Sequence, residues 1–255
     1  MANPYLYGYK LPINKYSANP FLAQKFPQLS SFAQQPYITD PNQEIPSSGN
    51  IFYHGPTNKL AALTFDDVPD SLFAPILLEI LARYDVKATF FALGKCAHQN
   101  SSMVGQIVQK GHIIGNHTYD HLDITKISAE QVREQILRTE EEIYQIAGVR
   151  TALFRPPFGF FNDTTMQEII AMGYKIIMWN IDSYDWMGLT GPAITSRVIV
   201  NIKPGAIVLM HNACDGSIEA GTGTVQSLPF IIETLKSAGY VFASIPTMLG
   251  IPAYK

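Results

Sequence analysis

The stretch LAALTFDD, residues 60–67, decides how this chain is read. Leu60-Ala61-Ala62-Leu63 is a short apolar run that carries on through Thr64 and Phe65. It reads as a buried strand over Leu60–Phe65. Two carboxylates, Asp66 and Asp67, then stand side by side at the strand's end. Adjacent acids repel each other and lose hydration if buried, so a counter-charge has to come from elsewhere in the chain. A solvated strand end or turn start is the plainer alternative.

Working outward from this strand, the pattern alternates. Phe73–Tyr84 is expected as an amphipathic helix and Ala88–Leu93 as a buried strand. A helix over Ser102–Lys110 stops at Gly111, and a strand follows at His112–Gly115. Ser128–Ala147 is expected as a long helix, with Ser128 and Gln131 spaced for a capping box and Gly148 as its stop. Further strands are expected at Thr151–Phe154, Tyr174–Trp179, Ala206–Met210 and Tyr240–Ser244. Helices are expected at Asp163–Met172, Ala193–Asn201 and Val225–Ala238. This is an α/β chain, best read as a distorted (β/α) barrel with about seven parallel strands. A doubly wound nucleotide fold fits less well, because no Gly-rich phosphate loop follows the first strand. Residues 1–49 are rich in Pro, Tyr, Phe, Asn, Gln and Ser without regular periodicity, and read as an irregular N-terminal arm. Residues 50–255 form the domain.

Composition narrows the function. Of 255 residues, 47% are hydrophobic and 15% charged, which suits one soluble domain with a sizeable core. A net charge of -3 argues against a nucleic-acid partner. No run of about 18 apolar residues suggests a transmembrane segment. The opening MANPYLYGYKLPINKY does not read as a signal peptide, so the export route stays open. Cys96 and Cys214 are too few for a disulfide framework. Cys214 is read as a small buried hydrophobe, with lining a pocket as the alternative.

In parallel barrels the working residues sit at the strands' C-terminal ends. There this sequence places Asp66 and Asp67, His117 and His121, Arg155, Asp182, Asp185 with Trp186, and His211. In HTYDH, residues 117–121, the two histidines are four apart. A helical turn would put both imidazoles on one face, near enough to share a metal. With a nearby carboxylate they make a two-His, one-Asp set for one divalent ion. Zinc is the default, with cobalt or nickel as alternatives. One aspartate can then neutralise its charge on the cation, and Arg155 is the natural counter-charge for the other.

LTFDD, NHTYDH, RPPFG, DSYDW and IVLMH occur in this order, and together resemble the five motifs of the polysaccharide deacetylases, the NodB-homology domain of carbohydrate esterase family 4. The resemblance covers roughly residues 50–246. It implies a distorted (β/α) barrel, metal-dependent removal of N-acetyl groups, and an N-acetylated glycan such as chitin or peptidoglycan as substrate. It implies Asp67, His117 and His121 as metal ligands and Asp66 as general base. It further implies His211 as general acid, Asp185 as the carboxylate that tunes it, and Arg155 as the group that orients the base. The backbone N–H of Phe158 is implied as an oxyanion donor, and Trp186 and Leu209 as apolar walls around the acetyl methyl. Trp186 and Leu209 suit the core as well, and Asp182 suits a loop cap.

Three positions depart from the family pattern. Val68 stands where Gly is usual, so the loop after Asp67 is expected to take another path or carry strain. Phe158 replaces Tyr, and Leu122 stands where Pro is frequent. The expected protein is a monomeric polysaccharide N-deacetylase acting outside the cytoplasm, at the cell wall or spore. The alternatives are a carbohydrate-binding or scaffold protein with weak turnover, and a small-molecule amidohydrolase on the same fold.

Overall fold

The computed structural model describes residues 49–212, 214 and 218–255. The expected arm, residues 1–49, lies outside them save for Gly49. Strand β2, Leu60–Val68, is the longest of the parallel strands described. β3 (Thr89–Ala92), β4 (Ile113–Asn116), β5 (Leu153–Phe154), β6 (Lys175–Ile177) and β1 (Ile51–Phe52) extend the sheet on one side of it. β8 (Ala206–His211) and β7 (Ile181–Asp182) extend it on the other, and β9 (Val241–Phe242) pairs with the start of β2. All these pairings are parallel, and among the described residues none joins β1 to β7. The expected distorted barrel is therefore a curved parallel sheet, open at that seam.

All seven expected strands are present. β1 and β7, each two residues long, were not expected. Eight helices are described: α1 (Phe73–Arg83), α2 (Gly94–Gln99), α3 (Ser101–Gln109), α4 (Ala129–Ala147), α5 (Asp163–Ala171), α6 (Gly191–Asn201), α7 (Ile218–Ser237) and α8 (Ile245–Leu249). In α4 both bonds of the capping box between Ser128 and Gln131 form, and Gly148 ends the helix in the left-handed conformation.

The period-two alternation of β2 sorts its side chains into two layers. Ala61, Leu63 and Phe65 face outward and pack with α1, α3 and α7 through Leu77, Leu78, Leu81, Ile107, Leu228 and Ile231. Ala62 faces the sheet's concave side with Phe91, Leu153, Ile177 and Ile207, and α8 closes that end with Ile245 and Met248. Both faces of the sheet are covered, which is why its strands read as continuous apolar runs. Thr64 and Asp66 continue the inward row, so the same alternation that builds the core aims Asp66 at the mouth of the barrel.

α2 was not expected, and its position governs the site. Leu93 N–H donates to Val68 O (3.1 Å), and Asn100 Nδ2 donates to Pro69 O (3.1 Å). Gly94 and Lys95 donate their N–H groups to Thr118 O (3.0 Å) and Tyr119 O (3.2 Å). Cys96 forms a disulfide with Cys214, across 118 residues of chain. This corrects the reading of Cys214 as a free buried hydrophobe: it is a cross-link, and two cysteines so far apart in sequence give no sign of it. The segment from Leu93 to Asn100 thus grips the end of β2, the loop after β4 and the loop after β8.

Gly94 is required by this packing. A Cβ there would lie 2.2 Å from the Tyr119 ring and 2.6 Å from Thr139 Oγ1. Gly94→Ala is expected to destabilise the fold by about 1–3 kcal/mol, the usual range for forced overpacking. Equilibrium unfolding in urea checks it; an unchanged midpoint would show that Tyr119 moves aside freely.

Candidate metal and acid–base site

A regular strand would aim Asp66 and Asp67 at opposite faces. Here the register against β3 slips between Phe65 and Val68, and Asp67 takes a left-handed φ of 56°. The bulge turns both carboxylates toward His117, whose Nε2 lies 3.7 Å from Asp66 Oδ2 and 3.7 Å from Asp67 Oδ1. The strain expected at Val68 is thus carried one residue earlier. Val68 stays in the strand and Asp67 bends instead.

Asp66 is buried, and burial raises its pKa. Opposing that, Arg155 Nη1 donates to Asp66 Oδ1 at 2.8 Å. Arg155 is itself fully buried and also donates to Thr64 Oγ1 (2.8 Å), Ile177 O (2.9 Å) and Met178 O (3.1 Å). Its guanidinium lies 4.2 Å from the Phe91 ring centroid. Burial outweighs Arg155, so the pKa of Asp66 stays above the usual carboxylate value, and Arg155 is the group that favours its charged form.

The charge of Asp67 is held by no such group. Asp67 Oδ1 is buried and accepts no hydrogen bond from the described residues, yet it lies 3.5 Å from His121 Nε2 and 3.7 Å from His117 Nε2. His117 Nδ1 donates to Arg155 O at 2.8 Å, because a carbonyl can only accept, and this fixes the Nε2 lone pair toward the carboxylates. Burial lowers the His117 pKa to about 3, so the ring is neutral and able to ligate at physiological pH. The spacing expected of His117 and His121 is present, but the helical turn is not. They sit on an irregular loop with Thr118 at φ 70° and His121 at φ 62°, which brings the ring centroids to 5.0 Å. Polar anchors hold that loop. Asn116 Oδ1 accepts from Thr118 N–H (2.9 Å), and Gln135 Oε1 accepts from Tyr119 N–H (3.0 Å) and Asp120 N–H (2.8 Å).

One ligand atom from each of Asp67, His117 and His121 lies within 4.8 Å of the others. Tetrahedral ligands about 2.0–2.1 Å from an ion stand roughly 3.4 Å apart, close to the separations from Asp67 Oδ1. An orphaned carboxylate oxygen facing two imidazoles, one of them neutral with its lone pair fixed, fits a divalent metal ion.

On the neighbouring strand, His211 ends β8, and Asp66 pairs with it in the sheet register. His211 Nδ1 donates to Asp185 Oδ1 at 2.8 Å, and its backbone N–H donates to Asp185 Oδ2 at 2.7 Å. Trp186 N–H (2.9 Å) and Thr224 Oγ1 (2.6 Å) complete the shell of this fully buried carboxylate. Burial would lower the His211 pKa, but Asp185, with Asp67 and Asp66 behind it, raises it to about 10. A divalent cation beside Asp67 would offset part of that field. The folded value lies above the ordinary 6.5, so the protonated pair stabilises the fold fully below pH 6.5. That contribution fades as the pH rises through about 10.

The other expected site residues lie nearby. Phe158 sits on a tight turn at φ 58°, with its ring 4.5 Å from that of His121. Leu209 is buried on β8 two residues before His211, and so on the same strand face. Trp186 is 49% exposed, which excludes the plain-core alternative. Leu122 is exposed. Asp182 Oδ1 accepts from Tyr184 N–H at 2.9 Å, the loop cap that its position suggested. Sequence reasoning missed Thr224 and Asn212. Asn212 N–H donates to Asp66 O (2.8 Å) and its Oδ1 accepts from Asp70 N–H (2.9 Å), which ties the ends of β2 and β8 together. Neither residue carries a periodic or motif signal.

The family model for polysaccharide deacetylases matches residues 54–177. The chain is 38% identical over 197 residues to a peptidoglycan-N-acetylglucosamine deacetylase of Bacillus cereus, covering 77% of this chain and 70% of that one. It is 39% identical over 194 residues to the Listeria monocytogenes peptidoglycan-N-acetylglucosamine deacetylase PgdA, covering 76% of this chain but only 40% of that relative. Among solved structures, the Bc1960 peptidoglycan N-acetylglucosamine deacetylase superposes with a TM-score of 0.78 at 35% identity, over 81% of this chain and 95% of that one. A carbohydrate esterase family 4 pseudoenzyme from Bacillus anthracis superposes with a TM-score of 0.72 at 31% identity, over 78% and 68%. The chain belongs to the polysaccharide deacetylase family.

Two expectations follow from the site. Protein purified without chelator should carry one divalent ion per chain by elemental analysis, and His117→Ala should lose it; equal content in both would remove His117 from the ligand set. In Asp185→Asn, the ring pKa of His211, followed by NMR, should fall from about 10, because the charge that opposes burial is gone. An unmoved titration would mean that Asp185 does not set the charge of His211.

Proposed function

We propose that this protein hydrolyses N-acetyl groups from a GlcNAc-containing cell-wall glycan, of the peptidoglycan or chitin type, releasing acetate and leaving a free amine. The observation that carries this reading is that two groups meet at the ends of the neighbouring strands β2 and β8. One group is Asp67, His117 and His121, with Asp66 beside them on Arg155; the other is His211, kept in its charged form by the carboxylate of Asp185. Amide hydrolysis needs both: a base for water and a proton for the leaving nitrogen.

Asp67, His117 and His121 would hold one divalent ion, with zinc the default for this donor set and cobalt or nickel able to bind it. When bound, the ion supplies Lewis acidity that lowers the pKa of a water and polarises the acetamide carbonyl. Asp66, oriented by Arg155, takes the proton from the attacking water. His211 delivers a proton from Nε2 to the amine, which leaves poorly as an anion. Asp185 keeps that imidazole charged and fixes its ring. The backbone N–H of Phe158 steadies the developing oxyanion, and Leu209 and Trp186 wall the acetyl methyl.

The disulfide supports action outside the cytoplasm, since such bonds persist in oxidising compartments. The relatives' names point the same way, to the cell wall. No described helix is long and apolar enough to cross a membrane. A weakly active carbohydrate-binding protein is the second reading, favoured by the likeness to a pseudoenzyme of the same family.

Acetate release from chitooligosaccharides, peptidoglycan fragments and small acetamides, measured side by side, tests the proposal. Turnover of a glycan is expected; release from small acetamides alone would favour the amidohydrolase, and none from any would favour the binding protein. Asp66→Asn is expected to keep its metal and lose on the order of 10²–10⁴-fold in turnover, the usual worth of a general base. Loss of metal from Asp66→Asn, with Asp67→Asn retaining it, would reverse the two roles.

A further inference from the structure

Trp186 is half exposed, yet its indole is not left to find its own rotamer. Its Nε1–H donates to Asp182 Oδ1 at 3.4 Å, the same oxygen that accepts from Tyr184 N–H at 2.9 Å. Arg197 reinforces the loop from α6. Its Nε donates to Asp182 O at 3.1 Å, and its guanidinium lies 3.3 Å from the centroid of the Tyr184 ring. The Tyr184 ring in turn meets Trp186 edge-on, with centroids 5.7 Å apart. The backbone of Tyr184 is left-handed, at φ 56°, a strained conformation that the Asp182 bond offsets.

We infer that Asp182 is a positioning residue for the substrate: it locks the Trp186 indole as a fixed wall against the N-acetylated sugar. The inference rests on the proposed deacetylase reading of Trp186. Asp182 acts through Trp186 and does not touch the reacting atoms. A wall ordered before the sugar arrives saves the entropy of ordering it on binding, so the benefit falls on affinity. Burial raises the carboxyl of Asp182 to a pKa of about 6, a cost that an acceptor without charge would avoid. That supplies the discriminating variant. Asp182→Asn keeps an oxygen for both N–H groups and discards the charge, whereas Asp182→Ala discards both.

The test uses the full chain loaded with zinc and an N-acetylated chitooligosaccharide. Asp182→Ala is expected to raise KM about 5–20-fold with kcat within about twofold, while Asp182→Asn stays within about twofold on both. Trp186→Phe, which keeps an aromatic ring but loses the N–H, should raise KM as Asp182→Ala does, and adding Asp182→Ala to it should raise KM little further. The chain has two tryptophans, so its ¹⁵N spectrum holds two indole N–H peaks. One should shift in Asp182→Ala and stay in Asp182→Asn. The inference is overturned if Asp182→Asn is as impaired as Asp182→Ala, if Trp186→Phe has the KM of the parent, or if neither indole peak moves. If the parent releases no acetate from any glycan, the deacetylase reading fails first, and the indole peaks alone then judge whether Asp182 holds Trp186.

Discussion

The buried guanidinium of Arg155 is the interaction on which the rest of the site depends. A fully buried cation is tolerable only if its donors are used and its charge is met. Here they reach Thr64 and Asp66 on β2, Ile177 at the end of β6 and Met178 beyond it, and the plane lies against Phe91 of β3. One side chain thus closes the barrel mouth between strands far apart in the sheet. It also leaves its own carbonyl to fix the His117 tautomer. Asp66, His117 and the core are joined through a single residue, and losing its side chain would strand a buried carboxylate, while the carbonyl that fixes His117 would stay.

The second constraint is charge separation. Asp66 and Asp185 are both buried carboxylates, but their surroundings differ. Asp66 meets a permanent cation and keeps its outer oxygen toward the site. Asp185 has its shell filled by four donors and passes its charge to one histidine. The first is left available to accept a proton, while the second is too well satisfied to do so. Two carboxylates of the same chemistry thereby take different parts, set by their hydrogen bonds.

The elements legible in the sequence were those with strong local signals: the seven strands with apolar runs, the α4 capping box, and the clustering of polar residues at strand ends. What stayed hidden has physical reasons. The N-terminal half of α7 carries Gly221, Gly223 and, further on, Pro229, which obscure its periodicity. Those glycines are there because a Cβ would strike Phe73 and the Leu189 carbonyl. α2 is six residues long and opens on a glycine. The spacing of His117 and His121 was informative although the helix it suggested does not form, because loop anchors at Asn116 and Gln135 bring the rings together instead. The disulfide and Thr224 depend on contacts between distant segments, and no local pattern announces either.

Six non-glycine residues among those described adopt positive φ, and five of them, Asp67, Thr118, His121, Phe158 and Tyr184, lie in the site or its supporting loops. Each such residue costs on the order of 1–3 kcal/mol against an unstrained backbone. Glycine would relieve that cost at every one of them, at the loss of the side chain each position carries. The chain has therefore kept side chains where its backbone would be better served without them. Its site is a reservoir of elastic energy held shut by the surrounding fold. Selection for stability alone would erode the barrel mouth first and leave the barrel standing.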